Sequence, residues 1–478
     1  MYVRLCCLLL WSGVLVAQSR VQDLVDRFAG SQVVARAVKA VDVRDARTGQ
    51  TLGSYGAEVA CIPASTQKLI TTAVAMEVLG ADYRFRTRLV AEGDVIAGEL
   101  RGDLFIVGGG DPTLGSSQMD GVPGLDAVIE RWVAAVRRRG ITRITGSVVG
   151  DGGRYGTDGA GRSWPWADMG NYYGAGTYGL NLHENSYTLL LTQRQQEGSS
   201  PPIAGTEPNV PGLRFTNELR SGPRGSGDQA YIYGAPFSYD YFVRGSIPVG
   251  TGRFRIRGSI PDPALFAAQR LTSALRAAGI AVVQAPATHR TNGSLAAGSG
   301  EALDELQSPP LAEIVDRTNL TSNNLYAETL LRELNYRAGQ RETASTEVLT
   351  DWLAARGIAT EAVRLQDGSG LSPRNYFPPT VMTALLIDRQ NAERWRQSIP
   401  LAGRTGSLRN VLRGTAAEGR VSGKSGTVSG VRTYAGYVER ADGGRWVYHI
   451  AVNNHTAGGR TLNRLIYELM GGLATVRP

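Results

Sequence analysis

The ends of the chain and its middle differ in sequence pattern, and this difference constrains the fold more than any other feature. Both ends predict helices and antiparallel strands, such as a nearly all-round apolar helix from Pro63 to Leu79. The stretch 85–303 instead alternates short strands with turns, and the chain has 60 glycines with no collagen-like period. We therefore expect one discontinuous domain, residues 18–84 and 304–478, into which residues 85–303 are inserted.

Residues 1–17 predict a signal peptide, because a basic residue precedes a mostly apolar run that is too short to span a bilayer comfortably. Cys6 and Cys7 would be removed with this segment. Cys61 then remains as the single cysteine, so that no internal disulfide can form. We expect an exported protein of the periplasm, with a secreted or cell-envelope location as the alternative and at most a peripheral contact with a membrane.

The basic residues narrow the possible functions. The chain has 51 basic and 43 acidic side chains, but the basic ones are scattered, which argues against a nucleic-acid partner. Three of the 51 are lysines, namely Lys39, Lys68 and Lys424. Arginine keeps its proton in proteins, whereas a buried lysine can lose it. A lysine in this arginine-rich background is therefore a candidate for chemistry that arginine cannot perform.

Ser65 and Lys68 lie three residues apart at the start of the predicted buried helix. This spacing places both side chains on one helix face, and the backbone N–H groups of a helix start stabilise negative charge beside the serine. Burial disfavours the ammonium form of a lysine, which makes Lys68 a candidate proton acceptor for Ser65. The pattern S-x-x-K recurs by chance in many proteins, so this pair alone does not establish an activity.

Lys424 lies in the segment Gly423-Lys424-Ser425-Gly426-Thr427, within an alternating strand pattern. Gly426 and Gly430 would let another backbone approach closely. Such a strand could pair with an extended peptide while the lysine and the hydroxyls attract a carboxylate. A hairpin strand with a solvated lysine is the structural alternative.

Ser322 and Asn324 lie between two predicted helices. Serine and asparagine favour helix starts and turns, so that an ordinary N-cap explains this segment when it is considered alone.

Taken in this order, the three elements resemble the motif set of the active-site serine penicillin-recognising enzymes. The stretch between Lys68 and Ser322 is far longer than the helical domain of a β-lactamase. The chain therefore resembles more closely the D-alanyl-D-alanine carboxypeptidase/endopeptidase family, the class C low-molecular-mass penicillin-binding proteins. Further segments that carry this resemblance are Gly102–Leu104, Gly108–Thr113, Trp166–Met169, Ser308–Leu311 and Asp367–Ser372.

The resemblance implies an α/β (α+β) fold, with a transpeptidase-like catalytic domain and large β-rich inserted domains. The catalytic domain would contain an antiparallel five-stranded sheet flanked by helices. The insert would hold two nested domains, about 85–95 with 180–303 and about 96–179.

The resemblance also implies a serine DD-peptidase that acts on peptidoglycan stem peptides and is inhibited by β-lactam antibiotics. It would remove terminal D-alanine or cut cross-links between D-alanine and a diamino acid. The resemblance implies Ser65 as the nucleophile that penicillin acylates, Lys68 as its base, Ser322 as a proton relay and Asn324 as the residue that orients the substrate. Lys424, Ser425 and Thr427 would bind the terminal carboxylate, and Gly426 would be a substrate-binding residue of the same strand. The N–H groups of Ser65 and Thr427 would form the oxyanion hole, and Asp168 would face the amine of the diamino acid.

Other hydrolase classes fit the sequence less well. The chain has no G-x-S-x-G elbow and no H-E-x-x-H motif, and we expect neither a metal nor an organic cofactor. Gly108–Gly110 lacks the lysine of a phosphate-binding loop and predicts a tight turn. A β-lactamase and a non-catalytic protein that binds peptidoglycan or β-lactams remain alternatives, and the balance between carboxypeptidase and endopeptidase activity stays open.

Overall fold

The computed structural model describes residues 18–292, 300–340 and 345–476, so the predicted signal peptide lies outside the described residues. Within the described ranges, no helix is both long and apolar enough to cross a bilayer. The described residues divide into two compact units: those up to 81, 315–323 and those from 345 onward belong to the first, and those within 82–314 and 324–344 belong to the second. The first limit lies three residues before the predicted 84, but residues 304–314 and the described part of 324–344, which the prediction gave to the catalytic domain, lie in the second unit. The predicted division and its two nested domains stay predictions.

The described residues form helices and strands with the following bounds. The helices are α1 (18–29), α2 (Lys68–Val78), α3 (Leu125–Arg138), α4 (Trp166–Met169), α5 (Pro263–Ala277), α6 (His289–Asn292), α7 (Leu311–Thr321), α8 (Asn324–Arg337), α9 (Glu347–Ala354), α10 (Pro379–Asp388), α11 (Glu393–Gln397) and α12 (Gly459–Thr475). The strands are β1 (Val38–Asp45), β2 (Thr51–Tyr55), β3 (Arg86–Ile96), β4 (Glu99–Val107), β5 (Arg143–Ile144), β6 (Val148–Asp151), β7 (Ser186–Thr192), β8 (Ile203–Glu207), β9 (Arg214–Asn217), β10 (Arg220–Gly222), β11 (Gln229–Tyr233), β12 (Asp240–Pro248), β13 (Arg253–Ser259), β14 (Ala281–Val282), β15 (Ala287–Thr288), β16 (Glu301–Gln307), β17 (Val421–Val428), β18 (Val431–Glu439) and β19 (Arg445–Asn453).

The first unit is built on one five-stranded sheet with the order β17-β18-β19-β1-β2. All four neighbouring pairs are antiparallel. The strands from the two ends of the chain meet where Val38 pairs with Asn453. The predicted antiparallel five-stranded sheet flanked by helices is confirmed.

Two groups of helices pack in this first unit. Helices α1 and α12 share one apolar core with the sheet, in which Val25, Val43 and Ile466 are fully buried. Helix α10 contacts β1, β18 and β19. Helix α2 is buried around its whole first two turns, as the apolar sequence predicts. A short 3-10 turn, Ala64–Gln67, precedes it, so that the predicted helix from Pro63 begins as a tighter turn.

The second unit is rich in strands, as predicted. It contains a seven-stranded sheet around β3 and β4, a four-stranded sheet around β12 and a three-stranded sheet around β7. Their apolar faces form one large core with helices α3 and α5, in which Trp132 and Phe266 are fully buried. The helices predicted at Leu125–Arg139 and Asp262–Ala278 agree with α3 and α5 to within one residue at each end.

Candidate active site

Ser65 lies in the 3-10 turn before α2, and Lys68 is the first residue of that helix. Lys68 Nζ donates a hydrogen bond of 3.0 Å to Ser65 Oγ. The preceding Ala64 has a φ of 46°, a left-handed conformation that non-glycine residues rarely adopt, and it is fully buried. The predicted pairing of these two side chains is therefore present, at the distance that a proton transfer requires.

Lys68 is also held from a segment that sequence reasoning recognised without assigning it a role. Its Nζ donates a 2.7 Å hydrogen bond to the carbonyl oxygen of Ser369. Ser369 belongs to the loop Asp367–Ser372, where the Asp367 carboxylate accepts from the backbone N–H groups of Gly370 and Ser372. The loop thus holds the carbonyl group of Ser369 in place, and this carbonyl orients the Lys68 side-chain nitrogen.

Lys424 lies on the edge strand β17, where it pairs with Ala435 of β18. Its Nζ donates hydrogen bonds of 2.8 Å to Ser322 Oγ and to the carbonyl oxygen of Ser425. Ser322 follows the last residue of α7 and has a φ of 61°, so the backbone turns sharply there. The predicted S-x-N serine and the strand lysine therefore meet in the first unit.

Both lysines are fully buried. Burial lowers the pKa of Lys424 well below its usual range, and the positive charge of Lys68 lowers this pKa further. Two ammonium groups in one buried site repel each other, so the arrangement favours a state in which one lysine is neutral and able to accept a proton. The alternative of a solvated hairpin lysine is wrong for Lys424, because its side chain has no exposed surface.

Gly426 brings β17 against the start of the helix that carries the serine. A Cβ atom built on Gly426 would lie 2.7 Å from the carbonyl oxygen of Pro63 and 3.0 Å from the backbone nitrogen of Ser65. The predicted close approach is present at this glycine. It is wrong for Gly430, where a Cβ would lie 3.9 Å from its nearest neighbour and the glycine instead provides a φ of 69° in the β17–β18 turn.

The hydroxyl groups of β17 lie toward the surface of the first unit. Ser425 is partly exposed and Thr427 is exposed, and both follow Lys424 along the strand. Ser425 Oγ donates a 3.0 Å hydrogen bond to Ser407 Oγ, and Thr427 Oγ1 accepts one from the Arg432 guanidinium. Sequence reasoning missed Arg432, which no motif marks.

Asn324 and Asp168 belong to the second unit. Asn324 begins α8, and its Nδ2 donates a 2.8 Å hydrogen bond to the carbonyl oxygen of Tyr173. The Tyr173 hydroxyl donates a 3.1 Å hydrogen bond to Asp168 Oδ1. One tyrosine therefore connects these two predicted site residues, and sequence reasoning missed it, although it lies in the aromatic-rich segment around Asp168.

The surroundings of Asp168 combine a carboxylate with exposed aromatic rings. The pKa of Asp168 is raised, because burial disfavours its carboxylate form more than the hydrogen bond from Tyr173 favours it. Trp166 and Tyr172 are 47% and 45% exposed. Such rings beside a carboxylate can attract a cationic group.

The buried histidine His449 and the thiol of Cys61 have no role in the serine–lysine site. His449 is fully buried in β19, and desolvation lowers its pKa to about 3, so it is a neutral core residue. Cys61 is a buried free thiol whose pKa is raised to about 11 by desolvation. In the described part of the chain, no group of three or more His, Cys, Asp or Glu side chains is placed to hold a metal ion.

Comparison with known proteins adds a family to this geometry. A family model described as the D-Ala-D-Ala carboxypeptidase 3 (S13) family matches residues 21–470. A D-alanyl-D-alanine carboxypeptidase of Actinomadura sp. (strain R39) is 29% identical over 464 residues, which cover 92% of this chain and 82% of that relative.

Solved structures agree with the fold. The crystal structure of penicillin binding protein 4 (dacB) from Haemophilus influenzae superimposes with a TM-score of 0.79 at 22% identity, covering 95% of this chain and 98% of that one. A complex of the same protein with a β-lactam has a TM-score of 0.73 at 21% identity, covering 94% and 98%. At this level of identity the structures show a shared fold.

Proposed function

The chain belongs to the D-Ala-D-Ala carboxypeptidase 3 (S13) family, and from this premise we propose how its residues perform the reaction of a serine DD-peptidase on peptidoglycan. The enzyme is a hydrolase of the serine-type D-Ala-D-Ala carboxypeptidase class. The observation that carries the residue assignment is the 3.0 Å hydrogen bond between Lys68 Nζ and Ser65 Oγ inside a fully buried lysine pair.

In the proposed acylation step, Ser65 Oγ attacks the carbonyl carbon of the penultimate D-alanine. In the reacting state Lys68 is the neutral member of the lysine pair and Lys424 carries the proton, so Lys68 accepts the hydroxyl proton as the new C–O bond forms. The backbone N–H groups of Ser65 and Thr427 hold the oxyanion of the tetrahedral intermediate. Support for this pairing comes from Gly426, which lets β17 lie against the backbone nitrogen of Ser65.

Collapse of the intermediate breaks the peptide C–N bond, and the leaving amine needs a proton. We assign this delivery to Ser322, whose Oγ accepts a 2.8 Å hydrogen bond from Lys424 Nζ. The lowered pKa of Lys424 suits a group that gives up a proton readily. Water then hydrolyses the acyl-enzyme by the reverse sequence of proton transfers.

Substrate binding is assigned to the edge strand β17 and to the side chain of Asn324. An extended stem peptide adds to β17 beside Gly426, with Lys424, Ser425 and Thr427 at the terminal carboxylate. Asn324 orients the peptide through its side-chain amide.

Asp168 is proposed to pair with the free amine of the diamino acid in the stem peptide. Its carboxylate is held by Tyr173, the same residue whose carbonyl oxygen accepts from Asn324. A cation bound there would also meet the exposed ring of Trp166. This arrangement supports the recognition of an ammonium group beside the substrate-orienting amide.

The proposed substrate class also bears on the location, domains and partners of the enzyme. We propose that residues 1–17 are a signal peptide and that the protein works in the periplasm or elsewhere in the cell envelope, with at most peripheral membrane contact. Residues 18–84 and 304–478 would form the catalytic domain and residues 85–303 the insert. Peptidoglycan peptides are the substrates, β-lactam antibiotics are inhibitors, and nucleic acids are not partners.

The test is covalent labelling combined with turnover. After reaction with benzylpenicillin, the intact mass of the wild-type protein should rise by one penicilloyl group, whereas Ser65→Ala should show no adduct. A peptide ending in D-Ala-D-Ala should release D-alanine with the wild type. An adduct that persists in Ser65→Ala would overturn the nucleophile assignment, and rapid penicillin turnover without peptide hydrolysis would indicate a β-lactamase.

A further inference from the structure

The terminal carboxylate of the substrate needs a positively charged partner, and the structure limits what Lys424 can offer. Its side chain is fully buried, and Nζ already donates to Ser322 Oγ and to the carbonyl oxygen of Ser425. Desolvation also favours its neutral form. Because these hydrogen bonds point into the protein, Lys424 can offer a carboxylate little by itself, and a second positive group is needed.

Arg432 lies next to the exposed end of the same binding strand. It stands on β18 directly opposite Thr427 in the β17–β18 register. Its Nη1 donates a hydrogen bond to Thr427 Oγ1, and its side chain is partly exposed. The guanidinium therefore reaches the hydroxyl assigned to carboxylate binding.

The guanidinium also has hydrogen-bonding capacity to spare. Among the described residues, no carboxylate forms an ion pair with Arg432, and its buried Nε has no hydrogen-bond partner. This distinguishes it from Arg440 and Arg445, which pair with Asp442 and Glu439.

We propose that Arg432 is a specificity residue that binds the C-terminal carboxylate of the substrate, together with the Thr427 hydroxyl. An arginine stays charged at every working pH, and its planar fork matches the two oxygens of a carboxylate. Lys424 is then left free for proton transfer through Ser322. This inference rests on the proposed function, because it names the group that reads the end of that substrate.

The test compares two peptides that differ at one group. Both end in D-Ala-D-Ala, one with a free carboxylate and the other with a C-terminal amide. Their dissociation constants are measured by calorimetry on full-length protein carrying Ser65→Ala, so that binding is read without turnover. The measurements are repeated with Arg432→Gln and Arg432→Lys, and with Arg413→Gln as a control that removes one charge from an exposed position of the same unit.

We expect Arg432→Gln to weaken binding of the free acid about 10- to 100-fold, the range typical of a lost charge-assisted hydrogen bond, and to leave the amide nearly unchanged. Arg432→Lys should recover part of the loss, and Arg413→Gln should have no effect. In the Ser65-containing enzyme, the same change should raise KM for the free acid far more than it lowers kcat.

Equal weakening of the acid and the amide would mean that Arg432 only supports the strand, and unchanged binding of the acid would mean that it does not touch the substrate. Either result overturns the proposal. Because the binding experiment does not use the nucleophile, its outcome is separate from the penicillin-labelling test of the proposed function.

Discussion

Replacing Gly426 with alanine should slow acylation while leaving a folded protein. In the structure, the added Cβ would lie 2.7 Å from the carbonyl oxygen of Pro63 and 2.2 Å from Thr433 Oγ1, whereas ordinary contacts begin at 3.4 Å. The Thr433 hydroxyl could rotate away, but it would lose its 2.6 Å hydrogen bond to the Pro63 carbonyl oxygen. That carbonyl oxygen also accepts from the Thr66 hydroxyl at 2.7 Å, so the backbone there is well fixed.

The strand must therefore move away from the Ser65 turn by about 0.7 Å, the difference between the built contact with Pro63 and an ordinary one. This movement separates the backbone N–H groups of Ser65 and Thr427, which are assigned to one oxyanion. A misplacement of about 1 Å can cost about 100-fold in rate, so we expect acylation by benzylpenicillin to slow by about 10- to 100-fold. The overpacking should also lower the free energy of unfolding by about 1–3 kcal/mol.

The assay follows adduct formation by intact mass at several times and penicillin concentrations, with circular dichroism to establish that the variant is folded. Gly458→Ala is the control glycine in the same unit, because a Cβ built there would meet nothing within 4 Å and its φ of −59° suits alanine. The control should keep an acylation rate close to that of the wild type. A folded Gly426→Ala protein that acylates as fast as the control would refute the reasoning.

Three further predictions address other groups. Lys68→Arg keeps the charge but cannot accept a proton, so the acylation rate should fall by about 10²- to 10⁴-fold in the same mass assay, and an unchanged rate would exclude Lys68 as the base. Asp168→Ala should lower kcat/KM for a peptide with a free diamino-acid amine but not for its N-acetylated analogue; additive effects in this cycle would remove Asp168 from substrate recognition. Desolvation raises the pKa of the buried Asp111 carboxyl to about 6, although hydrogen bonds from Thr113 oppose the shift. The folded state therefore holds the proton more tightly than the unfolded state, whose pKa is the ordinary 3.8. The resulting stabilisation is fully present below pH 3.8 and is lost as the pH rises through 6. Between pH 3.8 and 6, the wild type should lose about 3 kcal/mol of unfolding free energy through this residue, whereas Asp111→Asn should not show this loss. Unfolding free energies from urea titrations that change equally with pH in the two proteins would contradict the assignment.

The sequence predicted most of what depends on local pattern. Helices α3 and α5 follow from apolar periodicity, and the pairing of Ser65 with Lys68 follows from a spacing of three residues. The three motifs were also sufficient to predict the five-stranded sheet, through the family that they resemble. These features are encoded in residues that are close in sequence or that recur as a set.

The contacts that the sequence did not predict join segments that are distant along the chain. They are made by groups that no sequence motif marks, such as backbone carbonyls. Lys68 is oriented by the backbone carbonyl of Ser369, which every residue possesses and which no side-chain pattern reveals. Gly426 and Gly430 look alike in sequence, yet one is required by a neighbouring backbone and the other by its own positive φ. Tyr173 connects Asn324 with Asp168 through one carbonyl and one hydroxyl, a contact that depends on tertiary structure alone.

The meeting of β1 with β19 determines the order in which this protein can be completed during synthesis. Strand β1 is made 415 residues before its partner across the Val38–Asn453 pairing. The hairpin of β1 and β2 must therefore wait with one edge unpaired while the second unit, whose main segment is contiguous, can collapse first. Such distant pairing slows folding, so we expect the newly made chain to depend on protection from aggregation until β19 and α12 have been made.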